Sequence, residues 1–212
     1  MKKAVTIISF ALFLTFLIVV PVLAIFPLFF FIQGIHSRIQ LSTHNFYRKY
    51  ILLGLLFGLF TEFLAILDNL DAPPEEKILF HPDPVIDLLL GAGFYFFIAV
   101  VWAVLIKRYS FTTKSIFVIG GIWGVCAEQN FAILLSPLTQ GIIVGLFGYV
   151  FVFLVYGPFM AIPPLFFEKS LRTLERKERK VKHAFLAYFM LYGAWVLAGL
   201  YMIVLYILLG LA

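Results

Sequence analysis

The fold is decided by a run of 22 residues, 85–106, which reads VIDLLLGAGFYFFIAVVWAVLI and carries a single charge, Asp87. A helix that crosses the hydrocarbon core of a bilayer needs about 20 mostly apolar residues, and this run is long enough. Runs of the same kind recur along the whole chain. They predict an all-α fold, a polytopic transmembrane helix bundle of about six spans, in which residues 1–212 form a single transmembrane domain. The predicted spans are 4–32, 50–67, 85–106, 115–135, 140–167 and 184–211.

The composition excludes an ordinary soluble domain. Hydrophobic residues make up 63% of the chain and charged residues 13%, whereas a typical soluble domain is about 25% charged. With 26 phenylalanines, too little polar material remains to coat a water-facing surface. The net charge of +5 comes from loops beside the apolar runs, so it indicates membrane orientation, and we expect no nucleic-acid partner. We expect a multi-pass protein of the cell (cytoplasmic) membrane.

Lys and Arg are divided unevenly between the loops, and this predicts the orientation of the chain. The first, third and fifth loops carry most of them, whereas the second and fourth loops carry only Lys77. Because basic loops stay on the cytoplasmic side, both chain ends should face outside, together with the acidic second loop at 68–84. Lys2 and Lys3 favour the opposite side for the N-terminus.

The first apolar segment leaves three alternatives open. Pro21 and Pro27 interrupt it, so it forms either one tilted helix or a broken re-entrant hairpin that returns the chain to the cytoplasmic side. Val22 and Ala24 are also spaced like the cleavage site of a signal peptide. The apolar run continues through Phe31, however, and this disfavours processing.

A pattern in the second span recurs in the fourth. In both spans two glycines and a glutamate follow one another at intervals of four residues and so lie on one helix face, and the spans that follow also match. These features predict a duplicated helix pair, spans 2–3 and 4–5, with both glutamates at equal depth. Coincidence is the alternative, because glycine and phenylalanine are common here. The matching residues are Gly54, Gly58, Glu62, Gly91, Tyr95, Phe97, Val101 and Trp102 in one pair, and Gly120, Gly124, Glu128, Gly145, Tyr149, Phe151, Val155 and Tyr156 in the other.

Glu62 and Glu128 are the strongest candidates for a catalytic site. An ionised carboxylate is costly in hydrocarbon, so an intramembrane glutamate faces the bundle interior or water and is a functional candidate. Two neighbouring carboxyl groups can hold a proton at neutral pH and act as general acid and base. Asp87 and Asn130 are supporting candidates, Asn130 as a donor to a developing oxyanion. The structural alternative is that these polar groups only hold helices together.

The loops suggest two further binding sites. Asp68, His81 and Asp83 are weak candidates for a divalent metal site, because their oxygen and nitrogen atoms suit such an ion but their spacing fits no defined motif. An acidic outer loop is also what orientation alone permits, and no cofactor can be assigned. The basic run at 168–183 predicts contact with anionic lipid headgroups. The oligomeric state cannot be read from the sequence.

Two segments resemble a known class of membrane enzymes. Residues 120–131, GGIWGVCAEQNF, resemble the glycine-rich helix with an intramembrane Glu-Asn found in the PrsW-like branch of glutamic intramembrane proteases, and PDPVIDLLLGAGF at 82–94 is similar to another part of that branch. These families begin from a paired Glu-Glu on a helix. This chain has Thr61-Glu62 at the corresponding place, and its own Glu75-Glu76 pair lies in a predicted loop. The resemblance therefore assigns no family.

The sequence favours a membrane-embedded acid-base enzyme, hydrolase-like, that acts on a lipid-soluble or membrane-spanning substrate. The main alternative is a small transporter or channel whose carboxylates bind a proton or cation, and the third is a non-catalytic subunit of a membrane complex. An enzyme should need its two glutamates unequally and should open sideways toward lipid. A transporter should have a continuous polar path from one face of the bundle to the other.

Overall fold

A computed structural model of the chain describes residues 2–73 and 77–211. Within these residues the chain forms α-helices joined by loops and 3-10 turns, with no β-strand, so the all-α prediction is confirmed. The Glu75-Glu76 pair lies outside the described residues. The helices are α1 (Lys2–Val19), α2 (Ile25–Ile35), α3 (Phe46–Asp68), α4 (Pro84–Arg108), α5 (Thr113–Ala127), α6 (Ala132–Thr139), α7 (Ile142–Leu165), α8 (Glu168–Arg172) and α9 (Val181–Leu208).

Six helical segments are long and apolar enough to span a membrane, which confirms the prediction of about six spans. The chain is therefore a multi-pass membrane protein. Five of the predicted spans agree with these segments to within about one helical turn at either end. The predicted first span, 4–32, does not. The six segments are Pro21–Arg38, Phe46–Asp68, Pro84–Arg108, Thr113–Thr139, Ile142–Leu165 and Val181–Leu208.

The first apolar segment forms a helical hairpin rather than one span. A 3-10 turn at Pro21–Ala24 separates α1 from α2, and the two helices pack antiparallel. The rings of Phe10 and Phe31 lie 5.1 Å apart, and Thr6 packs against Gly34 so closely that no side chain would fit there. The N-terminus therefore lies on the same side as the first loop, not on the opposite side as predicted. This agrees with the presence of Lys2 and Lys3 at the start of the chain.

Polar contacts join residues 36–45, 109–112 and 166–180 into one surface, which we call the basic face. Ser110 N donates to the carbonyl oxygen of Lys177 (2.9 Å), and Lys169 N donates to the side-chain oxygen of Gln40 (2.8 Å). The opposite surface, which we call the acidic face, comprises the described residues of 69–83 and the end of α9. Apart from Lys77, the Lys and Arg residues all lie on the basic face or in helical turns that adjoin it.

Glycines let the central helices approach closely, as is common in membrane bundles. Gly54 and Gly58 of α3 contact Ala99 and Tyr95 of α4. In the same way Gly120 and Gly124 of α5 contact Met160 and Tyr156 of α7. These four contacts bring α3, which carries Glu62, and α5, which ends directly before Glu128, each against a helix that carries a tyrosine.

Substituting Gly58 by alanine is expected to lower the free energy of unfolding by about 1–3 kcal/mol, the usual cost of overpacking. The new Cβ would overlap the ring of Tyr95, which is buried and cannot move aside. Gly199→Ala is the matched control, because Gly199 of α9 has no heavy atom within 4 Å of its ideal Cβ position. Thermal unfolding in detergent compares the two variants. Equal midpoints would contradict the close approach of α3 and α4.

Candidate functional site

Glu62 lies on the buried face of α3 and accepts a hydrogen bond from a tyrosine of α4. Its side chain is 6% exposed, and the hydroxyl of Tyr95 donates to its Oε2 at 2.6 Å. Gly58, one turn earlier in α3, leaves the space that the Tyr95 ring fills. A buried carboxyl group needs such donors, because an unpaired one is costly in a low-dielectric interior.

Glu128 is held by the same kind of contact. The hydroxyl of Tyr156 in α7 donates to its Oε2, and the ring of Tyr156 fills the space left by Gly124. Glu128 follows the last residue of α5 directly and is half-buried. Each predicted glutamate therefore has a tyrosine donor on the helix that packs against its own.

The repeat that the sequence predicted uses a different register in the structure. Tyr149, the predicted counterpart of Tyr95, donates instead to the carbonyl oxygen of Leu134 at 2.5 Å. In the structure Tyr156, and not Tyr149, corresponds to Tyr95. One helical turn away, Gly120 contacts Met160 in the same way as Gly54 contacts Ala99. The duplication stays a prediction. The glycine, glutamate and tyrosine contacts at its two halves are alike.

The two carboxyl–tyrosine pairs meet inside the bundle. The ring of Phe159 lies between the tyrosines, with its centroid 5.3 Å from that of Tyr95 and 5.5 Å from that of Tyr156. The hydrogen bonds of Tyr95 to Glu62 and of Tyr156 to Glu128 therefore hold both carboxyl groups at one aromatic cluster. Charges interact strongly across such a medium of low dielectric constant. The glutamates are therefore neighbours in one cluster and do not point to opposite sides of the bundle.

Asp87 joins this cluster through Glu62. Its side chain is fully buried near the start of α4, where Oδ1 accepts a hydrogen bond from the backbone N–H of His81 (3.1 Å). Asp87 lies near Glu62, and its Oδ2 has no hydrogen-bond partner among the described residues. Two neighbouring carboxyl groups in a low-dielectric interior favour a state in which one of them holds a proton.

The fourth span is broken at Glu128. Gln129, Asn130 and Phe131 all have positive φ angles (49°, 54° and 72°), which non-glycine residues adopt only when the surrounding structure holds them there. The chain resumes as a helix at Ala132. Irregular backbone within a membrane span occurs where protein or a cavity covers it, and such sites are commonly functional. Asn130 lies in this turn with its side chain exposed, while Glu128 points to Tyr156.

The surroundings of the two glutamates differ. Asp87 lies eight residues before Tyr95, whereas the residue eight positions before Tyr156 is Gly148, which has no carboxyl group. Glu62 therefore has a second carboxyl group beside it and lies in an unbroken helix. Within the part of the chain that the structure describes, Glu128 has a single side-chain donor, Tyr156, and it lies at the helix break.

An apolar groove of about 410 Å3 runs beside the helix break, between α5, α6 and α7. It opens on the outer surface of the bundle, where Ile122, Leu134 and Val150 are exposed. Cys126, two residues before Glu128, forms part of its wall. The remaining lining residues are Val125, Tyr149 and Phe153.

Two of the three candidate metal ligands make hydrogen bonds at the start of α4, and the metal site stays a prediction. Asp83 caps α4 by accepting hydrogen bonds from Val85 N (2.9 Å) and Ile86 N (3.1 Å), and His81 Nδ1 accepts from Asp83 N. Asp68 is the last residue of α3. Across residues 2–73 and 77–211, no three His, Cys, Asp or Glu side chains are grouped so that they could hold a metal ion.

Comparisons with protein-family models, with curated proteins and with solved structures find no match to this chain. The geometry of the carboxyl cluster is therefore the main indication of function.

Proposed function

We propose that this protein is a membrane-embedded acid-base enzyme, hydrolase-like, which acts on a lipid-soluble or membrane-spanning substrate. The observation that carries the proposal is the meeting of buried Glu62 and half-buried Glu128 in unequal surroundings, each with its own tyrosine donor. A general acid must hold a proton and a general base must lack one. Proteins assign these two roles by placing the two groups in different environments.

Glu128 is the general base in this mechanism. Its carboxylate, fixed by Tyr156, takes a proton from a water molecule, and the resulting hydroxide adds to the substrate. Glu62 is the general acid, because the proton that it shares with Asp87 can pass to the leaving group. The proton gained by Glu128 equals the one lost from the Glu62–Asp87 pair. Its return to that pair resets the site.

The groove beside Glu128 supports the substrate class. It is apolar, and it opens sideways on the surface that faces lipid. An acyl chain or an apolar transmembrane segment could therefore enter from the bilayer without crossing water. Asn130 remains a candidate donor to the developing oxyanion only if the turn that contains it rotates inward.

A proton- or cation-coupled transporter is the second candidate, and the broken helix at Glu128 favours it. Discontinuous helices with polar groups at the break are the usual binding sites of secondary transporters. In this function the same carboxyl groups would bind the coupling ion instead of exchanging protons with a substrate.

One reconstitution separates these functions. The purified protein is placed in vesicles that contain a phospholipid mixture and single-span peptides, and products are identified by mass spectrometry. The enzyme predicts hydrolysis products that are absent with the double variant Glu62→Gln, Glu128→Gln. Ion flux that follows an imposed pH gradient, without any hydrolysis product, would instead identify a transporter. No product and no flux, with the double variant merely less stable, would contradict both.

We also propose that the basic face binds anionic lipid headgroups on the cytoplasmic side of the cell membrane. Arg176 donates to the carbonyl oxygen of Ile106 (3.4 Å), but its Nε is buried without a partner in the described structure. Partial burial lowers the pKa of this guanidinium group, and a phosphate oxygen would supply the missing acceptor. Lys177 and Lys180 lie exposed nearby in the chain.

The Arg176→Gln variant is expected to bind anionic headgroups more weakly, because each basic residue near the surface contributes about 1 kcal/mol. Co-purified phosphatidylglycerol, measured by mass spectrometry after exchange into mixed micelles, should fall relative to phosphatidylcholine. Lys77→Gln is the control, since Lys77 lies on the acidic side. Equal retention by both variants would contradict the proposal.

A further inference from the structure

The short helix α6 is joined to α5 through a strained turn. Gln129, Asn130 and Phe131 have φ angles of 49°, 54° and 72°, and none of them is glycine. Non-glycine residues adopt this left-handed conformation at a cost, and usually as single residues rather than in a row. A change in the φ and ψ angles of this turn would release the strain. Hinges are segments of this kind, in which a few residues absorb the whole change of angle.

α6 can move about this turn as one body. Pro137 has no N–H, so the carbonyl group of Ile133 lacks the usual helical donor, and the hydroxyl of Ser136 donates to it instead at 2.7 Å. This hydrogen bond helps to keep the eight residues of Ala132–Thr139 in one helix. Leu138, on the outer side of α6, is 85% exposed, so movement in that direction meets lipid.

A hydrogen bond and a close helix contact hold α6 against α7. The hydroxyl of Tyr149 donates to the carbonyl oxygen of Leu134 at 2.5 Å. Three residues further along α6, Pro137 packs so closely against Gly145 that an added Cβ would overlap it. The hydrogen bond depends on one hydroxyl group, so a single substitution can remove it without changing the packing.

α5, before the turn, is fixed to α7 along its length. Gly120, Gly121 and Gly124 each approach a side chain of α7 so closely that an added Cβ would overlap it. Glu128 directly follows α5 and therefore lies on the fixed side of the hinge. Movement of α6 away from α7 would open a crevice between these two helices, next to Glu128.

We propose that α6 is a lateral gate, which turns about residues 129–131 to open the bundle to lipid at Glu128. The hydrogen bond from Tyr149 to Leu134 is the latch that keeps the gate closed, as it is in this structure. Both residues also line the apolar groove, so the groove leads to the gate. This inference rests on the proposed function, because the gate gives a lipid-soluble or membrane-spanning substrate its route to the general base.

Distances between paired spin labels test the gate without a substrate. The labels are attached in a Cys126→Ala background, which removes the single cysteine of the chain. One label is placed at Leu138→Cys on α6 and the other at Val85→Cys, 67% exposed at the start of α4. In phospholipid vesicles, Tyr149→Phe should raise the population of a second, longer distance by about 2–10-fold, because one hydrogen bond contributes a factor of that order.

Two controls separate the gate from a general loosening of the bundle. In the reference pair, Phe147→Cys on α7, 73% exposed, replaces the label on α6, and its distance to Val85→Cys should not change. Gln129→Gly should lower the population of the longer distance, because glycine adopts a positive φ angle without strain and so stabilises the closed turn. A substitution effect that came only from lower stability would not differ in sign between Tyr149→Phe and Gln129→Gly.

The outcomes distinguish the gate from the function on which it rests. A single distance for the α6 pair, unchanged in Tyr149→Phe, overturns the gate and leaves the acid-base centre intact. A change in the reference pair also overturns it, because the bundle would then loosen as a whole. Opposite shifts in Tyr149→Phe and Gln129→Gly, together with no hydrolysis product, support the gate and contradict the enzyme.

Discussion

Turnover by the Glu128→Gln variant is expected to fall at least about 100-fold below that of the wild type, because a positioned general base contributes roughly 10²–10⁴-fold. The amide keeps a hydrogen bond with Tyr156 but cannot take a proton from water. Initial rates of product formation in the reconstituted vesicles measure the loss. Glu178→Gln, an exposed substitution on the basic face, is the control and should keep the wild-type rate.

Glu62→Gln is expected to lose less activity than Glu128→Gln. Asp87 remains beside position 62 and can carry the proton for the leaving group, whereas Glu128 has no second carboxyl group in the equivalent place. Equal losses in the two variants would contradict the unequal roles. Full activity in both variants would show that neither glutamate is needed for catalysis.

Two substitutions of Asp87 separate its contribution to stability from its role in proton transfer. Asp87→Leu is expected to lower the free energy of unfolding by about 1–3 kcal/mol, because the N–H of His81 loses its acceptor. Asp87→Asn keeps that acceptor and donates to Glu62 from its amide, so it should fold almost as stably as the wild type. Its turnover should still fall, by up to about 100-fold, because Glu62 no longer has a second carboxyl group with which to share the proton that it transfers.

Thermal unfolding in detergent and initial rates in vesicles measure the two effects of changing Asp87. A wild-type rate in Asp87→Asn would show that Glu62 works without a shared proton. Wild-type stability in Asp87→Leu would show that the contact with His81 contributes little to the fold.

Most of the membrane topology could be predicted from the sequence, because span length and the placement of Lys and Arg depend on the bilayer and not on tertiary contacts. The hairpin of α1 and α2 could be anticipated only as one alternative. Pro21 marks the break, but the antiparallel packing depends on Thr6 meeting Gly34. The break after Ala127 was not predicted, because Glu128, Gln129 and Asn130 include no glycine or proline. Tertiary contacts hold that turn.

The carboxyl groups of the candidate site could also be predicted, because an acid within an apolar run is conspicuous. Their tyrosine partners were missed, although Tyr95 and Tyr156 both belong to the matched spans. The rule that buried acids need donors would have directed attention to them. The register of the two helix pairs could not be predicted, because Tyr149 follows Gly145 at the same spacing at which Tyr95 follows Gly91. In the structure, packing against Gly124 and the hydrogen bond to Glu128 distinguish Tyr156 from Tyr149.

The central claim is that Glu62 and Glu128 belong to one centre, and a pH titration of the protonated carboxyl band tests it most directly. The band of the Glu62–Asp87 pair is recorded across pH in the wild type and in Glu128→Gln. If the two glutamates act on each other across the interior, removing the charge of Glu128 moves the pH at which the band disappears. A titration of that band identical in the two proteins would contradict the claim.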